Sequence, residues 1–405
     1  MLLFAAACES PQQPPQESSL PSTPAVGSFG EAVAFLQQHT DVLVLSDAEG
    51  AAQVAVVPAM QGRVLTSTPA GPDGPSLGWI NRVLIASGDT LAHINPYGGE
   101  DRFWFGPEGG QYSIFFKPGD PFDLEHWFTP APIDTEPFDL VASDAHYARF
   151  TRSMRLHNYA GFTFDVAVER EVRLLDRAAT EQALGLDLDT SIRLVAFASD
   201  NTIRNAGAEA WKPETGLLSI WILGMFNASP QTTVVIPFHE GPEETLGPVV
   251  NDAYFGTVPA DRLTVQDGVL FFKGDSRYRS KIGLTPARAQ SLLGSYDATN
   301  AVLTLVQYNK PDGVLPYVNS MWEIQNEPYA GDVVNSYNDG PPTPGAAQLG
   351  PFYELESSSP AAALAPGESL RHIHRTFHFQ GSDAALDALA RQTLGVSLDA
   401  IKSAL

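Results

Sequence analysis

The sequence has little sulfur and little positive charge. Its 405 residues hold one cysteine, so no intrachain disulfide can form. Lys and Arg number 24 against 47 Asp and Glu, which leaves a net charge of −23. No basic stripe occurs, and phosphate backbones require clustered cations, so nucleic acid is excluded as a partner. Beyond the first few residues, no segment approaches the ~18 consecutive apolar residues of a membrane-spanning helix. There is no Gly-x-Ser-x-Gly elbow, P-loop or dinucleotide fingerprint, so no cofactor is expected. A βαβ rhythm is missing as well, which argues against a parallel sheet.

What is present suits a β-rich fold. Hydrophobic residues make up 43% and aromatics 10%, enough for a large core, while 34 glycines and 32 prolines supply many turns. "SFGEAVAFLQQH" (28–39) reads as a helix, with Ser28 as N-cap and Glu31 completing a capping box. "DVLVLS", "QVAVVP" and "GRVLTST" (41–68) read as three strands, and "LGWINRVLIAS" (77–87) as a short helix. From 148 onward long segments alternate polar and apolar residues, as in "TFDVAVEREVRLLD" (163–176). That pattern marks antiparallel strands buried on one face. Two short helices with Ser or Asp caps close the chain. One antiparallel domain is expected over residues 28–405.

The start, "MLLFAAACES", resembles the end of a bacterial lipoprotein signal peptide. That implies lipidation at Cys8, a flexible tether to residue 27 rich in Pro, Gln and Ser, and a lipid-anchored place in the cell envelope, at the periplasm or outer membrane.

Near the other end, "ELESSSPAAALAPGESLRHIHRTFHF" puts Glu354 and Glu356 two residues apart, on one side of a strand. Carboxylates so placed raise each other's proton affinity, which suits a base poised near neutrality; a solvated strand face gives the same pattern. "GGEDRFWFGPEGG" gathers Asp101, Arg102, Trp104 and Glu108. Arg102 offers a planar fork of donors and Trp104 a flat face for a pyranose ring, unless the stretch is a self-packed loop. His126 in "DLEHWF" and His239 in "IPFHEGPE" are further polar candidates. "FKGDSRYRSKIGL" concentrates Arg277, Arg279 and Lys281, which could meet an acidic sugar or neutralise the protein's own carboxylates. Trp322 stands beside an Asn-rich loop of the kind that suits polyols. His372, His374 and His378 share a strand face, but His374 and His378 are too far apart along a strand to share an ion, so no metal is expected.

Two of these stretches carry a family likeness. "VAVVPAMQGRVLTST" resembles the opening hairpin of the galactose mutarotase-like superfamily, and the Leu-Glu, Pro-Gly-Glu and final-strand run resembles its closing strands. "NPYGGEDRFWFGPEGGQYSIFF" is similar to a stretch crossing the concave face in uncharacterised bacterial members. The resemblance implies a mainly β fold, a large antiparallel supersandwich with a few short helices at the termini, and a carbohydrate ligand. It implies Glu356 as general base with Glu354 as modulator, and His374 at the cleft border. The superfamily's acid histidine would fall at Trp221, and "WKPETGLLSIWILGMFN" has no histidine, so the acid must come from elsewhere, His126 or Arg102 being candidates. Sugar epimerisation, elimination or hydrolysis follows from this reading; a non-catalytic glycan-binding lipoprotein is the alternative.

Overall fold

The computed structural model describes residues 27–343 and 345–405. Cys8 and the expected tether to residue 26 lie outside the described residues. The first helix, Phe29–Gln37, begins where the sequence places it: Ser28 accepts from the Glu31 N–H and Glu31 reaches back to the Ser28 N–H. The expected helix at 77–87 is shorter. It runs Arg82–Ser87, capped by Asn81, because the preceding residues extend along other strands through bridges at Gly78 and Ile80.

Strands follow in three sheets. β1 (Leu43–Ser46), β2 (Gln53–Val57) and β3 (Arg63–Thr68) form a small antiparallel sheet in that order. β4 (Arg102–Gly106) stands alone in a long stretch of loops. β5 (Asp139–Ser143), β6 (Tyr147–His157), β7 (Thr163–Leu175) and β8 (Arg193–Asn205) form a meander. β9 (Ser219–Asn227) precedes β10 (Thr232–Pro237), β11 (Leu263–Gln266) and β12 (Val269–Lys273). β13 (Ser280–Leu284), β14 (Leu292–Asp297), β15 (Val302–Tyr308), β16 (Val334–Asn338), β17 (Phe352–Ser358) and β18 (Ser369–Gln380) complete the series.

Ten strands make one sheet, in the order β11-β12-β10-β14-β15-β18-β8-β7-β6-β5, and five make another, β13-β16-β17-β9-β4. All their pairings are antiparallel. The period-two pattern of β7 explains its place. Phe164, Val166, Val168, Arg170 and Val172 are buried, while alternate residues are not. Those inward side chains meet Phe103, Phe105 and Ile222 from the five-stranded sheet. The other face of the ten-stranded sheet is covered by the closing helices, Asp383–Leu394 and Leu398–Ser403, through Leu386, Leu389 and Ile401. β5, β6, β7 and β8 keep polar residues outward, as an antiparallel sheet with one wet face requires.

The turn from β2 into β3 shows why its sequence is what it is. Gln61 and Gly62 both take positive φ, 60° and 63°. A Cβ at Gly62 would lie 2.6 Å from the Phe150 ring, so only glycine fits against that side chain. The turn sets Arg63 beneath the loop before β4, where it donates to the Gly98 carbonyl at 3.1 Å.

Candidate active site

The five-stranded sheet presents one face to the sandwich interior and one to a cleft. Laterally paired residues in a sheet share a face. Arg102 on β4 lies opposite Leu223 on β9, which lies opposite Glu356 on β17. Trp104 lies opposite Trp221, and Lys281 on β13 lies opposite Tyr337 on β16, which lies opposite Glu354. The register therefore delivers Arg102, Trp104, Trp221, Lys281, Tyr337, Glu354 and Glu356 to a single face, although they come from five separate parts of the chain.

The charges there are paired across strands. Trp221 donates its indole Nε1–H to Glu356 Oε2 at 2.8 Å, and Lys281 Nζ donates to the same oxygen at 3.1 Å. Arg102 Nη2 donates to Glu354 Oε1 at 3.2 Å. The cations are also stacked on indoles: Arg102 Cζ is 4.1 Å from the Trp104 ring centre and Lys281 Nζ is 4.6 Å from that of Trp221. Glu356 is fully buried, and Glu354 is 5% exposed. Among the described residues, Glu356 Oε1, Arg102 Nε and Nη1, and Trp104 Nε1 are buried without a hydrogen-bond partner. Most buried polar atoms in proteins are paired, so a group of four around one floor marks it as built to meet something polar.

Burial pushes the Glu354 carboxyl up to about 8; Arg102 opposes that rise and the neighbouring Glu356 adds to it. Burial alone would lower the Lys281 ammonium, but Glu356, Glu108 and Glu354 outweigh it and raise it. Burial also raises the Glu108 carboxyl, against the pull of Lys281. That sheet face thus holds Glu356 paired with Lys281 beside Glu354, whose proton affinity burial raises in spite of Arg102.

A cleft of 450 Å³ opens beside this floor. Glu108, Arg279, Tyr337 and Asp339 form its polar wall; Trp127 and Trp322 form an aromatic one. Arg279 Nε donates to Tyr337 Oη at 3.3 Å, and Tyr337 donates in turn to Asp339 Oδ1 at 2.7 Å. Trp127 and Trp322 are stacked, with ring centres 5.8 Å apart, and Trp104 stands 6.4 Å from Trp127. The indoles form a continuous bank from floor to mouth.

The structure brings together Arg102, Trp104, Glu354 and Glu356 on one buried sheet face behind the cleft, which they do not line, whereas Glu108 and Trp322 do line it. Five other expected residues lie elsewhere. Asp101 alternates with Arg102 and points inward, where its Oδ1 meets Arg170 Nη2 at 2.6 Å. His374 does not border the cleft. It is buried between the sheets, where its Nδ1 shares a 2.8 Å hydrogen bond with Ser357 Oγ. His372 Nε2 meets the same hydroxyl at 2.8 Å, while His378 bridges Thr304 and Glu100. Burial drives His372 down to about 3 and His374 to about 4, so both are neutral packing groups. His126 turns its ring onto Asp123 at 2.7 Å, in a loop, and does not line the cleft. His239 is exposed just beyond β10, in the other sheet. Arg277 is exposed three residues before β13 and does not line the cleft.

Sequence reasoning did not assign Trp221, Tyr337 and Trp127 to the site. Trp221 sits in a strand buried on both faces, where apolar letters give no sidedness. Lys281 and Arg279 were visible in their alternating cationic segment, but only the register across β16 shows that Lys281 faces Glu354 and Glu356, while Arg279, just before β13, meets Tyr337.

Residues 27–405 match the model of a family described as "Family of unknown function (DUF6786)". The chain belongs to this family. No curated protein matches the sequence. Among solved structures, the fold is similar to that of the Slr1438 protein from Synechocystis sp. PCC 6803, at 13% identity and a TM-score of 0.50, covering 85% of this chain and 96% of that one. A putative aldose 1-epimerase from Escherichia coli K12 aligns at 14% identity and a TM-score of 0.49, over 84% and 99% of the two chains. A galactose mutarotase-like protein from Lactobacillus casei ATCC 334 aligns at 10% identity and a TM-score of 0.47, over 84% and 100%. Identities this low speak for the fold alone. The fold is mainly β, a sandwich of large antiparallel sheets, as the alternating segments suggested.

Proposed function

We propose that this DUF6786 protein binds a sugar in the cleft and performs acid–base chemistry on it, with Glu356 as base and Glu354 as the group carrying the proton. One observation carries the reading: two buried carboxyls two residues apart on β17 have different partners. Glu356 is paired with a lysine and an indole N–H, whereas Glu354 is paired with Arg102 and burial raises its proton affinity. A carboxyl that holds its proton beside one paired to a cation offers a site both an acid and a base. Glu356 Oε1, which has no partner among the described residues, is the oxygen free to accept a proton. Arg102 holds Glu354, and Trp322, half-buried in the cleft lining with Trp127 stacked on it, supplies a face for a pyranose ring. A larger groove of 830 Å³ beside Asp47 and Arg177 has no Trp, Tyr or Phe in its lining, and so offers a sugar ring no platform.

The test is proton NMR of hexoses, hexosides and uronosides incubated with the protein. The wild type converts one class, by epimerisation, elimination or hydrolysis. Glu356→Gln binds that sugar and turns it over at least about 100-fold more slowly, the usual worth of a positioned acid or base. Equal turnover by the two proteins refutes Glu356 as base.

A second reading, a glycan binder without catalysis, is favoured by the complete burial of Glu356 in its pair with Lys281. It predicts binding by both proteins and conversion by neither. In either reading the protein works in the cell envelope, anchored through Cys8. Labelled fatty acid should enter the wild-type chain and not Cys8→Ser, and incorporation into both would contradict the anchor.

A further inference from the structure

The cleft has a second, apolar half that a bare sugar leaves wet. Ile94, Leu124 and Leu349 line it together with Trp127 and Trp322, next to His93 and Glu125. Leu124 is 54% exposed and Leu349 44%. The apolar surface continues past the mouth. Phe128 is 37% exposed and stacks at 4.4 Å on His93, itself part of the lining. Phe255 is 40% exposed and lies 3.8 Å from Arg279 Cζ, and Ile324, two residues after Trp322, is 64% exposed. Single exposed apolar residues are ordinary, but a run of them around one opening marks a binding surface. Trp127 adds an indole Nε1–H that is buried with no partner among the described residues, a donor on the boundary between the two halves.

We infer that the ligand is a sugar carrying an apolar substituent, an alkyl or acyl aglycone, with the ring on Trp322 beside Glu108, Arg279 and Asp339 and the chain on Leu124 and Leu349. This rests on the sugar reading of the cleft and adds the chemistry of what the sugar is attached to. Polyol hydroxyls need polar partners, which Glu108, Arg279, Tyr337 and Asp339 provide and which Ile94, Leu124 and Leu349 do not. A hydrocarbon chain needs none and gains roughly fourfold in affinity for each methylene it buries, from ~0.8 kcal/mol per CH₂.

Calorimetry with glucose, galactose and mannose, their octyl glycosides below the micelle threshold, and 1-octanol tests the inference. For at least one sugar, the octyl glycoside should bind more than about tenfold tighter than the free hexose. The Leu124→Gln/Leu349→Gln variant, changed at two exposed positions and checked by thermal melting, should shrink that ratio towards one. Equal affinity for hexose and octyl glycoside overturns the inference and leaves the sugar reading standing. A ratio that persists in the variant overturns it too, because the chain then docks elsewhere. Octanol binding as tightly as every glycoside overturns the sugar reading itself. To separate a soluble glycoside from a lipid headgroup, vesicles of phosphatidylcholine with and without an embedded glycolipid are compared. Leucine-dependent retention on the glycolipid vesicles alone assigns a membrane source, and binding only to the monomeric glycoside assigns a soluble one.

Discussion

Trp221 donates its indole N–H to Glu356 across 2.8 Å, from the strand position where the resemblance calls for an acid histidine. An indole is a donor only and exchanges no proton at physiological pH. The substitution keeps the geometry of a hydrogen-bonded partner while removing its acid–base capacity. In the proposed reaction the proton resides on Glu354, whose burial raises its proton affinity.

Replacing Trp221 by Phe should therefore loosen Glu356. The change removes a hydrogen bond to a buried carboxylate and leaves a small void, together costing about 2–4 kcal/mol. Urea unfolding measures it, and a loss below about 1 kcal/mol would show that the indole N–H does not hold the carboxylate.

Lys281 is the only cation within salt-bridge distance of Glu356 among the described residues. Lys281→Met leaves a buried carboxylate without its partner and should cost about 3–5 kcal/mol, whereas adding Glu356→Leu to it should recover much of that loss. A double variant no more stable than the single one would contradict this account of the pair.

The pH dependence of Glu354 has a definite sign. Below its ordinary value of 4.5 the carboxyl is protonated in folded and unfolded chains alike; between there and about 8 only the unfolded chain has lost the proton. Ionisation then favours unfolding, so this contribution falls as pH rises through the window and levels off above about 8. Denaturant midpoints of wild type and Glu354→Gln should show the wild type losing ground across that range. A difference independent of pH would mean that Glu354 is ionised in the folded protein.

How much of this was legible in the sequence depended on sidedness. The alternation in β7 and the capping boxes declare themselves in one dimension, and so did the pair on β17. Glu354 and Glu356 share a face because two is the period of a strand, whatever the rest of the chain does. Which face they share was not written locally. β17 is buried on both sides, so its burial pattern is uniform and carries no direction. Asp101 and Arg102 show the same limit. Adjacent letters in one motif end on opposite faces, one on Arg170 in the core and the other on Glu354. The histidines of β18 share a face as expected, but that face looks into the sandwich, towards Ser357 and Glu100.

Those histidines carry a prediction on the acid side. His372 and His374 resist protonation down to about 3 and about 4, while in the unfolded chain they charge near 6.5. The unfolded state binds the extra protons, so stability falls as pH drops from about 6.5 towards 4. A His374→Asn variant should lose stability less steeply over that interval; an unchanged slope would show that the imidazole is charged where it sits.

The most direct measurement is a crystal structure of Glu356→Gln holding the sugar that the wild type converts. The account predicts a substrate hydroxyl or reacting carbon within hydrogen-bond reach of the residue 356 side chain, about 2.6–3.2 Å, with the ring on Trp127 or Trp322 and Glu354 on the same face. A sugar seated away from β17, with the Lys281–Glu356 and Arg102–Glu354 pairs undisturbed, would contradict it.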